Sequence, residues 1–207
     1  TLVIGGTALH RLWSEGRYTA LSTEGAAGII SEAHRSFPKW VRVARIQRDV
    51  PAGIIADGVK KSNLREIVDD MLAAKGIRCR CIRCREVGLS AIREGKAEAG
   101  KVTLSRETYE AGDGTEEFLS FEIRGRGLLI GFLRLRIPSG EASRPEVMGA
   151  GLVRELHIYG QQVAVGEKGE LGFQHKGYGA RLLAEAERLA KEEHGCRRMA
   201  VLPGVGV

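Results

Sequence analysis

The stretch Gly151–Ala190, GLVRELHIYGQQVAVGEKGELGFQHKGYGARLLAEAERLA, constrains the fold more than any other part of the chain. It reads as a strand, a connector and a long amphipathic helix. Leu182, Leu183, Ala186, Leu189 and Ala190 recur at helical spacing, while Glu185, Glu187, Arg188 and Lys191 fall largely outside that face. Gln174-His175-Lys176-Gly177-Tyr178-Gly179 lies where the helix should begin. Glycines there let backbone approach a ligand closely, and the unpaired N–H groups and positive dipole end of a helix attract phosphate. The pattern therefore predicts a diphosphate cradle on a helix packed against a sheet, with a plain tight loop as the alternative. The usual dinucleotide and P-loop spacings are absent.

The 207 residues allow one large domain or two small ones. No apolar run approaches the ~20 residues needed to cross a bilayer and no signal peptide is visible at Thr1, so no membrane partner is expected. A formal charge of +6, with arginine in clusters, is compatible with nucleic acid or with an ordinary basic cytoplasmic enzyme. Of the four cysteines, Cys79, Cys81 and Cys84 crowd into Arg78–Gly88, RCRCIRCREVG. That layout suits a metal better than a disulfide framework. Three soft thiolates fit zinc and leave one position for His10, His34 or Cys196. The flanking Arg78, Arg80, Arg83 and Arg85 would lower the thiol pKa values; the other reading is three reduced cysteines on a basic loop. These arginines, with Arg42, Arg45, Arg48, Lys60 and Lys61, line either an RNA groove or a solvated surface.

Along the chain, Thr1–Gly5 reads as a short strand, and helices are expected near Leu9–Glu15, Glu24–Ser36 and Asn63–Lys75. Asn63 and Glu66 make a capping box, and Gly76 a stop. Trp40–Val50 interleaves apolar and basic residues and is expected to be a strand ended by Pro51, with a bulge near Ala44 where the phase slips. After about Glu94 strands follow at Lys101–Ala111, Glu116–Arg124, Leu128–Ile137, Leu152–Tyr159 and Arg198–Leu202. Gly112–Thr115 is a turn, and Pro138–Gly151 is mostly polar loop.

The cradle loop resembles the Q/R-x-x-G-x-G/A signature of GNAT-type N-acetyltransferases. RELHIYG (Arg154–Gly160), QHKGYGARLLAEAERLA (Gln174–Ala190) and AVLPGVG (Ala200–Gly206) resemble the acetyltransferase domain of the Elongator catalytic subunit family. TLVI-GT-L-LW-GRY within Thr1–Tyr18 and RIQRD-P in Arg45–Pro51 are similar to the end of that family's radical SAM domain. The resemblance implies an α/β chain: a C-terminal remnant of a radical SAM barrel domain over 1–76, a cysteine-rich zinc-binding linker over 77–94, and a GNAT acetyltransferase domain over 95–207 that ends early. It implies an acyltransferase that uses acetyl-CoA to place a carboxymethyl-type group on carbon 5 of wobble uridine 34 of tRNA.

In such a site the pantetheine amides would pair with backbone at Glu155, Leu156, His157 and Ile158. The diphosphate would rest on N–H groups at Gly177, Tyr178, Gly179 and Ala180, with Gln174 opening the loop. The metal would be zinc on Cys79, Cys81 and Cys84. The family's [4Fe-4S] cluster and S-adenosylmethionine ligands lie outside this sequence. So does a Tyr-Tyr segment that follows the GVG motif and offers an acid for the departing thiolate. Glu155 and His157 share one strand face and would act as base or water-orienting groups, or be half-exposed strand residues. No residue is singled out as catalytic, and His175 is expected to touch phosphate or solvent. Partners implied are tRNA, acetyl-CoA and a second copy or Elongator-type subunits, in the cytoplasm. A protein lysine acetyltransferase and a non-catalytic RNA-binding or assembly module stay open as alternatives, because one fold hosts many substrates.

Overall fold

The computed structural model describes residues 2–88, 100–140, 144–160 and 176–201. The chain divides into two compact units, Thr1–Arg83 and Cys84–Val207.

In the first unit β1 (Val3–Ile4) pairs antiparallel with β2 (Ile55–Asp57). Helix α1 (Ala8–Ser14) follows β1, and the Trp13 indole N–H donates to Asp57 Oδ2 at 2.9 Å, tying the helix to β2. Helices α2 (Thr23–Ala33) and α3 (Leu64–Ala74) pack together. Ala26 and Ala27 from one helix, and Leu64, Val68 and Leu72 from the other, bury a common core with Ile46, Val59 and Ile77. Ser22 caps α2 by accepting from the Gly25 N–H, as its residue type favours. Asn63 occupies the N-cap of α3, but its side chain donates to Glu66 Oε2 at 3.2 Å and caps no backbone group. Gly76 stops α3 at φ 62°, and the Ile77 N–H reaches back to the Leu72 carbonyl. This is a left-handed helix ending with its apolar contact in place.

Trp40–Val50 is not a strand. It runs as irregular chain because it finds no strand to pair with among the described residues: Ile46 turns into the helical core, and Arg48 spends its guanidinium on the carbonyls of Lys60 and Val50. The strand that does form, β2, is three residues long and too short for an alternation to show.

The second unit is built on a five-stranded sheet in the order β3 (Val102–Ala111), β4 (Gly114–Ile123), β5 (Leu128–Ile137), β6 (Ala150–Ile158), β7 (Arg198–Val201). All pairs are antiparallel except β6 with β7. Gly112 and Asp113, both at positive φ, make the two-residue turn that joins β3 to β4. Helix α5 (Tyr178–Arg188), prolonged by a π turn over Leu189–Glu193, covers one sheet face. Leu182, Ala186, Leu189 and Ala190 bury there against Leu119, Phe121, Leu133, Leu135 and Val153. Gly151 makes the close approach possible: a Cβ on it would lie 2.9 Å from both Ala190 Cβ and Met199 Sδ.

Candidate functional site

Strand β6 and the start of α5 form the candidate cofactor site. The register of β6 on β5 slips once: Arg134 faces Glu155, yet Leu135 faces Val153, so Arg154 is an extra residue, a β-bulge. The bulge shows in the side chains. Val153 enters the core under α5, whereas Arg154 and Glu155 both reach the opposite face, Arg154 to Glu116 and Glu155 to Arg134 at 2.6 Å. Alternation then resumes. His157 lies with its ring 5.3 Å from that of Phe132, while Leu156 and Ile158 point toward α5. Glu155 and His157 thus share one face, and Leu156 and Ile158 the other. The described pairing of β6 with β7 runs from Ala150↔Arg198 to Val153↔Val201, so the bulge is the next residue along β6.

Helix α5 begins at Gly177, whose φ of 78° is left-handed and favours glycine, and no side chain caps it. Gly179 sits against β6, where an added Cβ would meet Ile158 at 3.8 Å and Leu156 at 4.0 Å. These are ordinary contacts, so packing alone does not demand glycine there. The Tyr178 ring packs 5.0 Å from Phe121, and the Arg181 guanidinium lies 4.6 Å over Phe121, which orients the first turn. Gly177, Tyr178, Gly179 and Ala180 therefore come together beside Leu156 and Ile158. Gln174 and His175 lie outside the described residues.

The sequence reading missed the charged groups that brace this sheet. Glu117, fully buried under α5, accepts from Arg106 through both oxygens at 2.7 and 2.8 Å, from Thr108 at 2.7 Å, and pairs with His194 Nε2 at 2.9 Å. Burial raises its pKa, but the hydrogen bonds from Arg106, Thr108 and His194 together outweigh it and hold the carboxyl below the ordinary range. On the other face Glu116, also buried, accepts from Arg154 Nη1. The signal was present: a Glu-Glu pair inside the apolar strand EEFLSFEI has to find cations on both faces of the sheet.

Cys79, Cys81 and Cys84 do converge. Their Sγ atoms all lie within 4.8 Å of one another, and Cys79 and Cys81 are buried. Four thiolates about 2.3 Å from a zinc ion would stand roughly 3.8 Å apart, so the group fits a tetrahedral metal with little movement. The Cys81 N–H donates to Cys79 Sγ at 3.4 Å, as metal-binding thiolate loops require. Among the described residues none of His10, His34 and Cys196 belongs to the group. His34 Nδ1 donates to the Ile30 carbonyl at 2.7 Å, and burial pushes the Cys196 thiol up. Arg85, next after Cys84 in the short helix α4 (Ile82–Arg85), is buried and pairs with Glu122 at 2.9 Å. It belongs to the sheet and offers no charge to a solvated surface.

A mostly antiparallel sheet closed by one parallel pair, a bulged fourth strand and a helix opened by glycine define the class: this is the architecture of an N-acetyltransferase. Residues 90–206 match the model of the acetyltransferase (GNAT) family, and the chain belongs to that family. Residues 1–74 match the radical SAM C-terminal domain. Over its whole length the chain is 48% identical, across 208 residues, to the tRNA uridine(34) acetyltransferase of Methanocaldococcus jannaschii. It is 44% identical, across 207 residues, to Elongator complex protein 3 of Homo sapiens. It spans 38% of the length of each. The solved structure of the archaeal Methanocaldococcus infernus Elp3, with an N-terminal deletion, superposes with a TM-score of 0.85 at 47% identity, over 97% of this chain and 48% of that one. No helix among the described residues is long and apolar enough to cross a membrane.

Proposed function

We propose that this chain binds acetyl-CoA between β6 and α5 and serves in an acyltransferase that installs a carboxymethyl-type group on wobble uridine 34 of tRNA. The observation that carries the reading is identity of 43–48% through both units at once, to relatives named for uridine-34 acetylation or for Elongator. When bound, the cofactor supplies an acetyl group activated as a thioester. Everything else falls to the chain. Backbone at Glu155, Leu156, His157 and Ile158, past the bulge, would pair with pantetheine amides. The N–H groups at Gly177, Tyr178, Gly179 and Ala180, at the positive end of α5, are suited to the diphosphate. Gln174 is assigned to the same loop on the sequence signature alone. His157, on the exposed end of β6, is within the strand that would carry the thioester.

Cys79, Cys81 and Cys84 hold zinc in this reading, as a structural ion that fixes the linker over 77–94 between the radical SAM portion over 1–76 and the acetyltransferase portion over 95–207. Radical chemistry would come from an iron–sulfur cluster and S-adenosylmethionine held by residues outside this sequence. Transfer RNA is the substrate partner, Elongator-type subunits or a second copy the protein partners, and the cytoplasm the compartment. Calorimetry with acetyl-CoA, followed by hydrolysis of labelled acetyl-CoA with and without tRNA, tests the proposal. Binding plus tRNA-stimulated hydrolysis supports it. A protein with both units and an intact Gly177–Ala180 corner that binds no acetyl-CoA would sink it. Acetylation of a lysine peptide in preference to any response to tRNA would transfer the site to the protein-acetyltransferase reading.

A further inference from the structure

The buried carboxylate of Glu116 is not explained by packing. It is 1% exposed, on β4, on the sheet face away from α5. Its Oε1 accepts from Arg154 Nη1 at 2.5 Å, and Arg136 Nη1 stands farther off at 3.7 Å. Arg136 is committed elsewhere, its guanidinium donating to the carbonyls of Ala111, Gly112 and Gly114 in the β3–β4 turn. Glu116 Oε2 is buried with no hydrogen-bond partner among the described residues. A half-satisfied buried carboxylate is a poor device for stability, since desolvation offsets most of what one ion pair returns. Its partner, however, is the one residue of β6 that the register leaves over.

We infer that Glu116 is a positioning residue for the cofactor: it holds Arg154 across β5 and so locks the β-bulge that aims the Glu155–Ile158 backbone at the pantetheine arm. The inference rests on the acetyl-CoA reading above. A bulge disrupts the ladder locally, and closing it would slip every later pairing by one residue and turn those side chains to the other face. Here two ion pairs of opposite polarity pin it from the same face, Arg154 to Glu116 on β4 and Glu155 to Arg134 on β5. Closing the bulge, so that Arg154 moves opposite Arg134 and every later residue shifts by one, would carry Glu155 off the face of Arg134 and exchange the faces on which Leu156 and His157 stand. The backbone groups of Glu155–Ile158 would then be rotated out of line for the arm, while the start of α5, held on Phe121 through Tyr178 and Arg181, would keep its N–H groups although it lost Leu156 and Ile158 as neighbours.

That asymmetry gives the test. In the protein with both units, Glu116→Gln and Arg154→Lys are compared with wild type by calorimetry, using acetyl-CoA and 3′-phosphoadenosine 5′-diphosphate, which carries the diphosphate without the pantetheine. Each variant is expected to weaken acetyl-CoA about tenfold while the diphosphate compound binds as in wild type, with the double variant no worse than the singles. Equal weakening of both ligands, or no weakening of either, overturns the inference and leaves the acetyl-CoA reading standing. Wild-type protein that binds neither ligand removes the acetyl-CoA reading itself, and the inference with it.

Discussion

At the scale of single residues, the two glycines of the cradle do different work. Gly177 stands at φ 78°, so alanine there would cost about 1–2 kcal/mol through backbone strain, read as a lowered melting temperature. Gly179 has room for a methyl group against Ile158. Gly179→Ala is therefore expected to change stability by less than about 0.5 kcal/mol, and calorimetry should nonetheless show weaker acetyl-CoA binding, because the methyl group crowds the approach to the amides. Glu117 makes a prediction in pH. Its folded pKa lies below its unfolded value, so its contribution is present in full above the ordinary carboxylate range, about pH 4.3, and is lost as pH falls through the folded pKa. Acid melts should show wild type losing stability below about pH 4, and Glu117→Gln should be less stable at neutrality with a flatter acid slope. A parallel slope in the two proteins would refute the assignment.

Among the elements, α5 and β6 depend on one another. Leu182, on the sheet-facing side of α5, is fully buried, and Leu182→Ala is expected to cost about 2–5 kcal/mol in denaturant unfolding. Short α4 has a larger task than its length indicates. It carries Cys84, and its last residue, Arg85, is the buried partner of Glu122, which Ser120 also supports at 3.0 Å. Glu86 follows and bridges to Leu129 on β5. In the zinc reading, removing the ion from Cys79, Cys81 and Cys84 should therefore loosen the sheet as well as the loop. Chelation is expected to increase amide exchange at β4 and β5, and Arg85→Ala to reproduce that increase with the metal still bound. Exchange confined to residues near the cysteines would show that α4 does not transmit the metal's hold.

For the whole molecule, the charge of +6 has to be apportioned before it supports an RNA partner. Several cations are already committed. Arg85 is buried against Glu122, exposed Arg106 pairs with buried Glu117, and half-buried Arg48 donates to the carbonyls of Val50 and Lys60. The solvated remainder, Arg45 among them, sets a modest number of phosphate contacts. Affinity for tRNA should fall with salt along a straight line of log Kd against log concentration, with a slope of only a few units rather than about ten. A slope near zero would remove the electrostatic case for RNA.

The sequence by itself settled what local periodicity and chemistry can settle. The apolar spacing of Leu182, Ala186 and Leu189 fixed a helix and its buried face, the glycines near Tyr178 marked its start, and three cysteines in six residues declared a metal-ready group. Leu128–Ile137 was legible as a strand from its strongly apolar run alone. What only the tertiary structure decided were matters of partnership. Trp40–Val50 has the composition of a strand and, among the described residues, no strand beside it. Asn63 has the residue type of a cap and a side chain that prefers Glu66. The cations of Glu116 and Glu117 come from 38 and 11 residues away along the chain, and the bulge at Arg154 exists only as a mismatch between two strands. Periodicity reports how one segment divides polar from apolar; register and charge pairing are properties of two segments at once, and so they appear only when the chain has folded.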